Sequence, residues 1–172
     1  LDVGEYQVLL VGDADLAETV ALGDREYRIN LPPSARGAPI ILALHGGGGN
    51  PGQIARNSGL SRPANAAGYA VIYPAGTGRT RLLTWNGGYC CGSAARTGVD
   101  DIAFLDQVVA DAARRYGLDA SRLYLTGMSN GSIMSETFAA RNPGMVHAVA
   151  GVSATMDTRR KRVKGQVPAL II

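Results

Sequence analysis

Two glycine-rich segments contain the residues of this sequence that are best suited to nucleophilic chemistry. One is "GMSNG" (127–131), a G-x-S-x-G pattern that places Ser129 between two glycines, and the other is the glycine tract at residues 46–49. A serine hydroxyl held at a tight bend can attack a carbonyl carbon, and backbone amides from a glycine tract can stabilise the resulting oxyanion. The pattern alone does not decide, because a small serine also suits an ordinary strand-to-helix turn.

The elements predicted around Ser129 favour the nucleophile. The run "RLYLTG" (122–127) predicts a buried strand, and the residues from Ser129 to Arg141 predict a helix that ends at "NPG". Ser129 would then lie at the sheet edge and at a helix N-terminus, where backbone amides point outwards. We therefore predict that Ser129 is the catalytic nucleophile and that the amide of Asn130 is one oxyanion donor.

The glycine tract lies in the corresponding position after another strand. "IILALH" (40–45) is a continuous apolar run, which is typical of a strand buried on both faces, and it leads directly into the tract. Glycine lets a backbone approach a substrate closely and turn its amides inwards. Gly47 is the predicted second oxyanion donor, with Gly46 as the next candidate.

The rest of the sequence predicts an α/β fold in one domain spanning residues 1–172. Strands and helices alternate from residue 40 onwards, which indicates a mostly parallel central sheet with helices on both faces. The N-terminal third predicts antiparallel strands. The remaining predicted elements are strands at 6–12, 16–23, 25–32, 69–74, 147–155 and 167–172, helices at 59–69 and 100–117, and a long glycine-rich loop at 75–99.

Composition excludes several kinds of partner. Hydrophobic residues make up 46% of the 172 residues and no apolar run is long enough to span a bilayer, so we predict no membrane partner. The net charge is +3, but "RRKRVK" (159–164) alone contains five cations, and without it acidic residues outnumber basic ones. A local basic run of this kind indicates a solvated loop, so we predict no nucleic-acid partner.

The two cysteines, Cys90 and Cys91, are adjacent. They lack the spacing of a metal site, so we predict no metal. A disulfide between the two neighbours and a bond from one of them to a cysteine outside this chain both remain open, and this cysteine usage favours a secreted or periplasmic protein.

Four motifs in order give the chain a family resemblance: "HGGGGN", "TWNGGYCCGSA", "GVDDIAFL" and "LYLTGMSNGS". Together they resemble the α/β-hydrolase esterases grouped with polyhydroxybutyrate depolymerases and feruloyl esterases. The resemblance implies a serine carboxylester hydrolase with a Ser-His-Asp triad, no cofactor, frequent export, and a small-molecule or polymeric ester as substrate. It also implies Trp85 as a candidate wall for the substrate, although a core anchor for the long loop is an equal alternative. It does not predict an oligomeric state.

The sequence departs from this pattern in its histidines. In the α/β-hydrolase order the acid and the histidine follow the serine, and the single histidine after Ser129 is His147, at the start of a strand and therefore at the wrong sheet edge. His45 is expected to brace the glycine tract, and Asp157 is a fallback acid. We therefore expect the C-terminal part of the domain, with the catalytic Asp and His, to lie beyond residue 172. The alternative is an inactive hydrolase-fold protein that binds a ligand.

Overall fold

Seven strands and five helices form the part of the chain that the computed structural model describes, which is residues 17–78, 80, 82–158 and 165–172. The strand predicted at 6–12 and the basic run at 159–164 lie outside these residues. In chain order the elements are β1 (Glu18–Leu22), β2 (Arg25–Asn30), β3 (Pro39–Leu44), α1 (Pro51–Ser58), α2 (Ser61–Ala66), β4 (Ala70–Pro74), α3 (Gly92–Thr97), α4 (Asp101–Tyr116), β5 (Asp119–Met128), α5 (Asn130–Arg141), β6 (Val146–Val152) and β7 (Ala169–Ile171).

The strands pair into one sheet in the order β1-β2-β4-β3-β5-β6-β7. The pairs β1–β2 and β2–β4 are antiparallel, and every other pair is parallel. This confirms the predicted mostly parallel sheet with antiparallel strands at its N-terminal side. The central strands β3 and β5 are neighbours, and their last paired residues are Leu44 and Gly127. The glycine tract and Ser129 therefore leave the same edge of the sheet side by side.

Alternate residues of the central strands build a core on each face of the sheet. On one face, Leu42 and Leu125 pack in the larger cluster with Phe104 of α4 and Phe138 of α5. On the other face, α1 and α2 cover β3 and β4 in a smaller cluster that includes Tyr73. Helices on both faces are thus confirmed, and a sheet buried in this way explains the continuous apolar runs of β3 and β4.

Two of the helices depart from the sequence predictions. α1 begins at Pro51, directly after the glycine tract, where no helix was predicted; the side chain of Asn50 caps it by accepting a hydrogen bond from the Gln53 amide at 3.0 Å. α3 lies inside the segment 75–99, which was predicted as continuous loop. Neither helix carries a regular stripe of large apolar residues, so the hydrophobic periodicity indicates neither of them.

No helix in the described part of the chain is long and apolar enough to cross a membrane. Among the same residues, no group of three or more His, Cys, Asp or Glu side chains is arranged to hold a metal ion. The sulfur atoms of Cys90 and Cys91 are in direct contact, so the structure pairs these two cysteines with each other.

Candidate active site

Ser129 forms a strained corner between β5 and α5. Its backbone has φ 53° and ψ −119°, a combination that residues with a side chain rarely adopt. Its amide donates a hydrogen bond to the carbonyl of Val152 at 2.8 Å, and its carbonyl accepts one from the amide of Ile133 at 3.1 Å. The residue is exposed. The hydroxyl therefore stands at the surface on a backbone whose conformation is held by hydrogen bonds.

The two glycines that flank the corner are required by close backbone packing. A Cβ atom on Gly127 would lie 2.3 Å from the carbonyl oxygen of Gly131. A Cβ atom on Gly131 would lie 2.3 Å from the carbonyl oxygen of Leu44 and 2.5 Å from that of His45. Real Cβ atoms do not approach other atoms so closely. The first turn of α5 therefore rests directly on the backbone at the end of β3.

The glycine tract lies against the corner, as the strand order requires. A Cβ atom on Gly46 would be 3.8 Å from Cβ of Ser129, and one on Gly47 would be 3.5 Å from Cβ of Asn130. Gly47 is exposed, and its amide donates no backbone hydrogen bond among the described residues, whereas the Gly48 amide donates to Leu83. Gly47 thus lies against Asn130, the residue after Ser129. The amide of Asn130 is in the first turn of α5, where backbone amides have no partner within their own helix.

The side chain of Asn130 fixes the long loop to the corner. Its Oδ1 accepts a hydrogen bond from the Trp85 amide at 2.7 Å, and its Nδ2 donates to the Trp85 carbonyl at 2.9 Å. The residue is only 2% exposed. The Asn130 side chain thus bonds to both backbone groups of Trp85, as a neighbouring strand residue would. Asn130 therefore also holds the long loop in place, a role that the sequence did not reveal.

Trp85 is buried in the core, which favours the core-anchor alternative over a wall for the substrate. The indole has no exposed surface, and its Nε1 donates to the carbonyl of His45 at 2.9 Å. A ring in this position joins the long loop to the end of β3 and presents no face to a substrate. The exposed aromatic ring of the same loop is Tyr89, which is 49% exposed and whose hydroxyl donates to the Thr155 carbonyl at 2.7 Å.

His45 braces the glycine tract as a neutral imidazole. The Gly76 amide donates to Nε2 at 3.0 Å, so Nδ1 carries the ring proton and donates to the carbonyl of Gly46 at 2.8 Å. The pKa of His45 is lowered from 6.5 to about 4; burial is the main cause and nearby Arg25 adds to it, while the hydrogen bond to Gly46 opposes the shift. With both nitrogens in use, this ring cannot take a proton from Ser129.

A buried ion pair between Arg25 and Asp101 is hydrogen-bonded to the long loop. Nη1 of Arg25 lies 2.8 Å from Oδ1 of Asp101, and Oδ2 of Asp101 accepts a hydrogen bond from the amide of Asn86 at 2.7 Å. The Arg25 guanidinium also lies 3.4 Å from the ring centroid of Phe104. Burial raises the pKa of Asp101, although the Asn86 amide and Arg25 oppose that shift. Sequence reasoning placed Asp101 only in the first turn of a helix.

The other predicted acid–base candidates lie away from the corner or stay undecided. His147 is the second residue of β6 and is exposed, close to the ring of Tyr124 rather than to Ser129. Its place at the amino end of a parallel strand puts it at the sheet edge opposite the nucleophile, as predicted. Asp157 follows β6 on the same side as Ser129 and is partly buried. Neither of the two histidines of the sequence is therefore placed to take a proton from Ser129.

Two cavities lie next to the corner. A groove of 740 Å³ runs along the sheet face and includes Gly127 and Met128 in its lining. A cleft of 1140 Å³ lies beyond the glycine tract and includes Asn50 and Gly76. Ser129 lines neither of them.

Comparison with known protein families agrees with this geometry. The family model described as "Esterase PHB depolymerase" matches residues 25–160, which include the glycine tract, the long loop and the corner. The chain belongs to the esterase PHB depolymerase family. The family resemblance predicted from the four motifs is therefore confirmed.

Two individual proteins with esterase or depolymerase names are similar to this chain in sequence. Feruloyl esterase B of Talaromyces stipitatus is 31% identical over 149 residues, which are 86% of this chain and 41% of that protein. Poly(3-hydroxyalkanoate) depolymerase C of Paucimonas lemoignei is 28% identical over 119 residues, which are 67% of this chain and 28% of that protein. The chain thus spans less than half the length of these relatives.

A solved structure supports the α/β-hydrolase fold of this family member. The acetyl xylan esterase from Aspergillus awamori superimposes with a TM-score of 0.66 at 22% identity, over 85% of this chain and 56% of that chain. At this identity the likeness shows the fold alone. The fold class predicted from the sequence is confirmed.

Proposed function

We propose that this protein is a serine carboxylester hydrolase in which Ser129 is the nucleophile. The observation that carries the proposal is the exposed, strained Ser129 at the end of β5, with the glycine tract packed against it and against Asn130. Membership of an esterase family supports it. The proposal requires that the Ser129 hydroxyl and the amides of Gly47 and Asn130 reach one carbonyl group.

The reaction proceeds through an acyl-enzyme. The Ser129 Oγ attacks the ester carbonyl carbon, a general base takes the hydroxyl proton, and the carbonyl oxygen becomes an oxyanion that accepts hydrogen bonds from the Gly47 and Asn130 amides. The C–O bond to the alcohol then breaks, and the alcohol leaves with the proton from the base. Water attacks the acyl-enzyme through the same base, which releases the carboxylic acid and restores the serine.

We further propose that the base and its acid come from outside these 172 residues. His45 is buried with both ring nitrogens hydrogen-bonded, and His147 lies at the opposite sheet edge, so neither can serve Ser129. A triad histidine and a carboxylate supplied from elsewhere in the full-length protein would complete the site. Asp157 stays a fallback for the acid.

Substitution of Ser129 tests the assignment directly. In the full-length protein, Ser129→Ala should reduce hydrolysis of p-nitrophenyl acetate by at least about a thousandfold, because the nucleophile is lost. Ser121→Ala is the matched control, since Ser121 lies on the same strand at its exposed start, and it should keep wild-type turnover. Turnover within a few fold of wild type for Ser129→Ala would show that Ser129 is not the nucleophile. A wild-type protein without turnover would favour the alternative, a hydrolase-fold binding protein.

The substrate class and the compartment are further proposals. Relatives are named for feruloyl, acetylxylan and polyhydroxyalkanoate esters, so a panel of methyl ferulate, acetylated xylan and poly(3-hydroxybutyrate) separates the possibilities. We propose that the protein acts outside the cytoplasm, since paired cysteines such as Cys90 and Cys91 persist in oxidising compartments. Fractionation of cells that express the full-length protein tests this, and recovery in the cytoplasm alone would contradict it.

A further inference from the structure

The segment formed by the last residue of β6 and the four residues after it, 152–156, is tied to α5 by two buried side chains that the hydrolytic reaction does not use. We propose that Ser132 and Glu136 are positioning residues, which hold this segment so that it keeps Ser129 in its strained backbone conformation. The inference deepens the proposed function, because it concerns the same nucleophile.

Both side chains bond to the backbone of the segment. The Ser132 Oγ donates to the carbonyl of Ala154 at 2.6 Å, and Oε2 of Glu136 accepts a hydrogen bond from the amide of Met156 at 2.9 Å. Oε1 of Glu136 lies 3.3 Å from the Ser132 Oγ. Ser132 has no exposed surface, and Glu136 is 8% exposed. The two residues are one turn apart on α5, so together they hold both ends of a three-residue stretch.

The segment in turn holds the corner. The carbonyl of Val152, its first residue, accepts the hydrogen bond from the Ser129 amide at 2.8 Å. A non-glycine residue at φ 53° persists only where its surroundings leave it no alternative. If the segment moves, Ser129 loses the acceptor of its amide, and the corner can relax to a more common conformation.

Neighbouring residues are adapted to this arrangement. A Cβ atom on Gly151 would lie 2.4 Å from the Ser132 Oγ and 2.6 Å from Oε1 of Glu136, so the two polar groups reach β6 only because a glycine stands there. From the other side, the Tyr89 hydroxyl donates to the carbonyl of Thr155. The segment is therefore fixed between α5 and the long loop.

A buried carboxylate is costly unless hydrogen bonds compensate for its lost hydration. Glu136 could be replaced by an apolar residue if only packing mattered, as Phe138 and Met134 show on the same helix. Its two oxygens are instead directed at the Met156 amide and at Ser132. We conclude that Glu136 serves to hold residues 152–156 in position rather than to fill the core.

Two serines of α5 provide a matched experiment. Ser132 and Ser135 are both fully buried and both donate to a backbone carbonyl, but the Ser135 Oγ donates to Thr126 of β5 and does not contact the segment. In the full-length protein we expect Ser132→Ala to speed hydrogen exchange of the Ser129 and Met156 amides by about tenfold over Ser135→Ala. Glu136→Ala should do the same for Met156, and Glu136→Gln, which keeps an acceptor oxygen, should restore part of the protection.

A second readout reports on the nucleophile itself. The rate of labelling by a fluorophosphonate probe, measured for variants of matched thermal stability, should fall about tenfold in Ser132→Ala and stay near wild type in Ser135→Ala. Equal amide exchange in the two serine variants would overturn the inference. If the wild-type protein is not labelled at all, the proposed function fails, while the exchange comparison still decides whether the segment holds the corner.

Discussion

The sharp backbone turn at Ser129 requires glycine at positions 127 and 131, on either side of it. The hydroxyl reaches solvent because the chain turns sharply, and the turn is possible because Gly127 and Gly131 lie in backbone contact. Gly131 in addition packs against the carbonyls of Leu44 and His45, which precede the proposed oxyanion donors. A single methyl group at this point would separate the two halves of the site.

Gly131→Ala should therefore destabilise the protein. The new Cβ would meet the Leu44 carbonyl oxygen at 2.3 Å, and because the obstacle is backbone it cannot rotate away. We expect the free energy of unfolding in urea to fall by about 1–3 kcal/mol or more. Gly144→Ala is the control, since a Cβ there would meet nothing within 4 Å. Equal stability of the two variants would show that the helix can shift off β3 at little cost.

His45 should make stability depend on pH. The pKa of this residue is about 4 in the folded protein and 6.5 when unperturbed, so between these values the unfolded chain binds a proton that the folded protein does not. Acidification therefore favours unfolding: the contribution is complete above pH 6.5 and is lost as pH falls towards 4. The 2.5-unit difference limits it to about 3 kcal/mol.

Urea unfolding at pH 7 and pH 4.5 measures this dependence. His45→Gln keeps an acceptor for the Gly76 amide but cannot be protonated, so its loss of stability on acidification should be smaller than that of the wild type by up to about 3 kcal/mol. His147→Gln, at an exposed position, should behave as the wild type does. The same pH dependence in all three proteins would contradict the assignment to His45.

The residues of the site were predictable to different degrees. Spacing around Ser129 and the glycine tract predicts their proximity, because both follow neighbouring parallel strands. The catalytic roles of Ser129, Gly46, Gly47 and Asn130 stay predictions. The surroundings of Trp85 were not predictable, since an aromatic residue in a glycine-rich loop can equally face a substrate or the core. Its burial depends on Asn130, which lies 45 positions away in the sequence.

Among the elements, the long loop between β4 and α4 is bonded to the first turn of α4. Asp101, in the first turn of α4, binds both the Asn86 amide and Arg25 of β2. One carboxylate thus connects strand β2, the loop and the helix, and it does so without exposed surface on its side chain.

Asp101→Ala should remove that connection and leave the guanidinium of Arg25 buried without a counter-charge. We expect a loss of about 3–5 kcal/mol in the free energy of unfolding, the usual cost of breaking one side of a buried pair. Asp119→Ala breaks the ion pair between Asp119 and Arg122, whose side chains are 32% and 47% exposed respectively. The loss in the free energy of unfolding should be much smaller than for Asp101→Ala, because solvent screens an exposed pair. Thermal or urea unfolding compares them, and similar losses would mean that Arg25 finds water or another acceptor.

The predicted helices correspond to α2, α4 and α5, whereas α1 and α3 were not predicted. α4 combines a regular apolar face, the Asp100 cap and a C-terminal Gly117, and its bounds agree with the prediction to within one residue. α1 begins with Pro51 and Gly52, has Ile54 as its one large apolar residue, and so lacks an apolar stripe. Contacts with β3 and β4 stabilise it instead, and such tertiary contacts are not visible in a short stretch of sequence.

At the scale of the whole molecule, the strand order places at one sheet edge the two motifs that also indicate the family. A mostly parallel sheet brings the carboxyl ends of β3 and β5 to one edge, and ligands of open α/β sheets bind at that edge. Fold class and family were predictable because several motifs occur in the right order. The substrate was not predictable, because the motifs indicate a nucleophile and its neighbouring backbone amides but not the shape of a pocket for an acyl group.

The contact of Gly131 with the last carbonyls of β3 has a consequence for protein engineering. Main-chain packing holds the first turn of α5 against the end of β3, so exposed loops outside this contact and outside residues 152–156 can be exchanged without disturbing it. Libraries that vary such loops should leave unchanged the two glycines beside residue 129, together with Ser132 and Glu136.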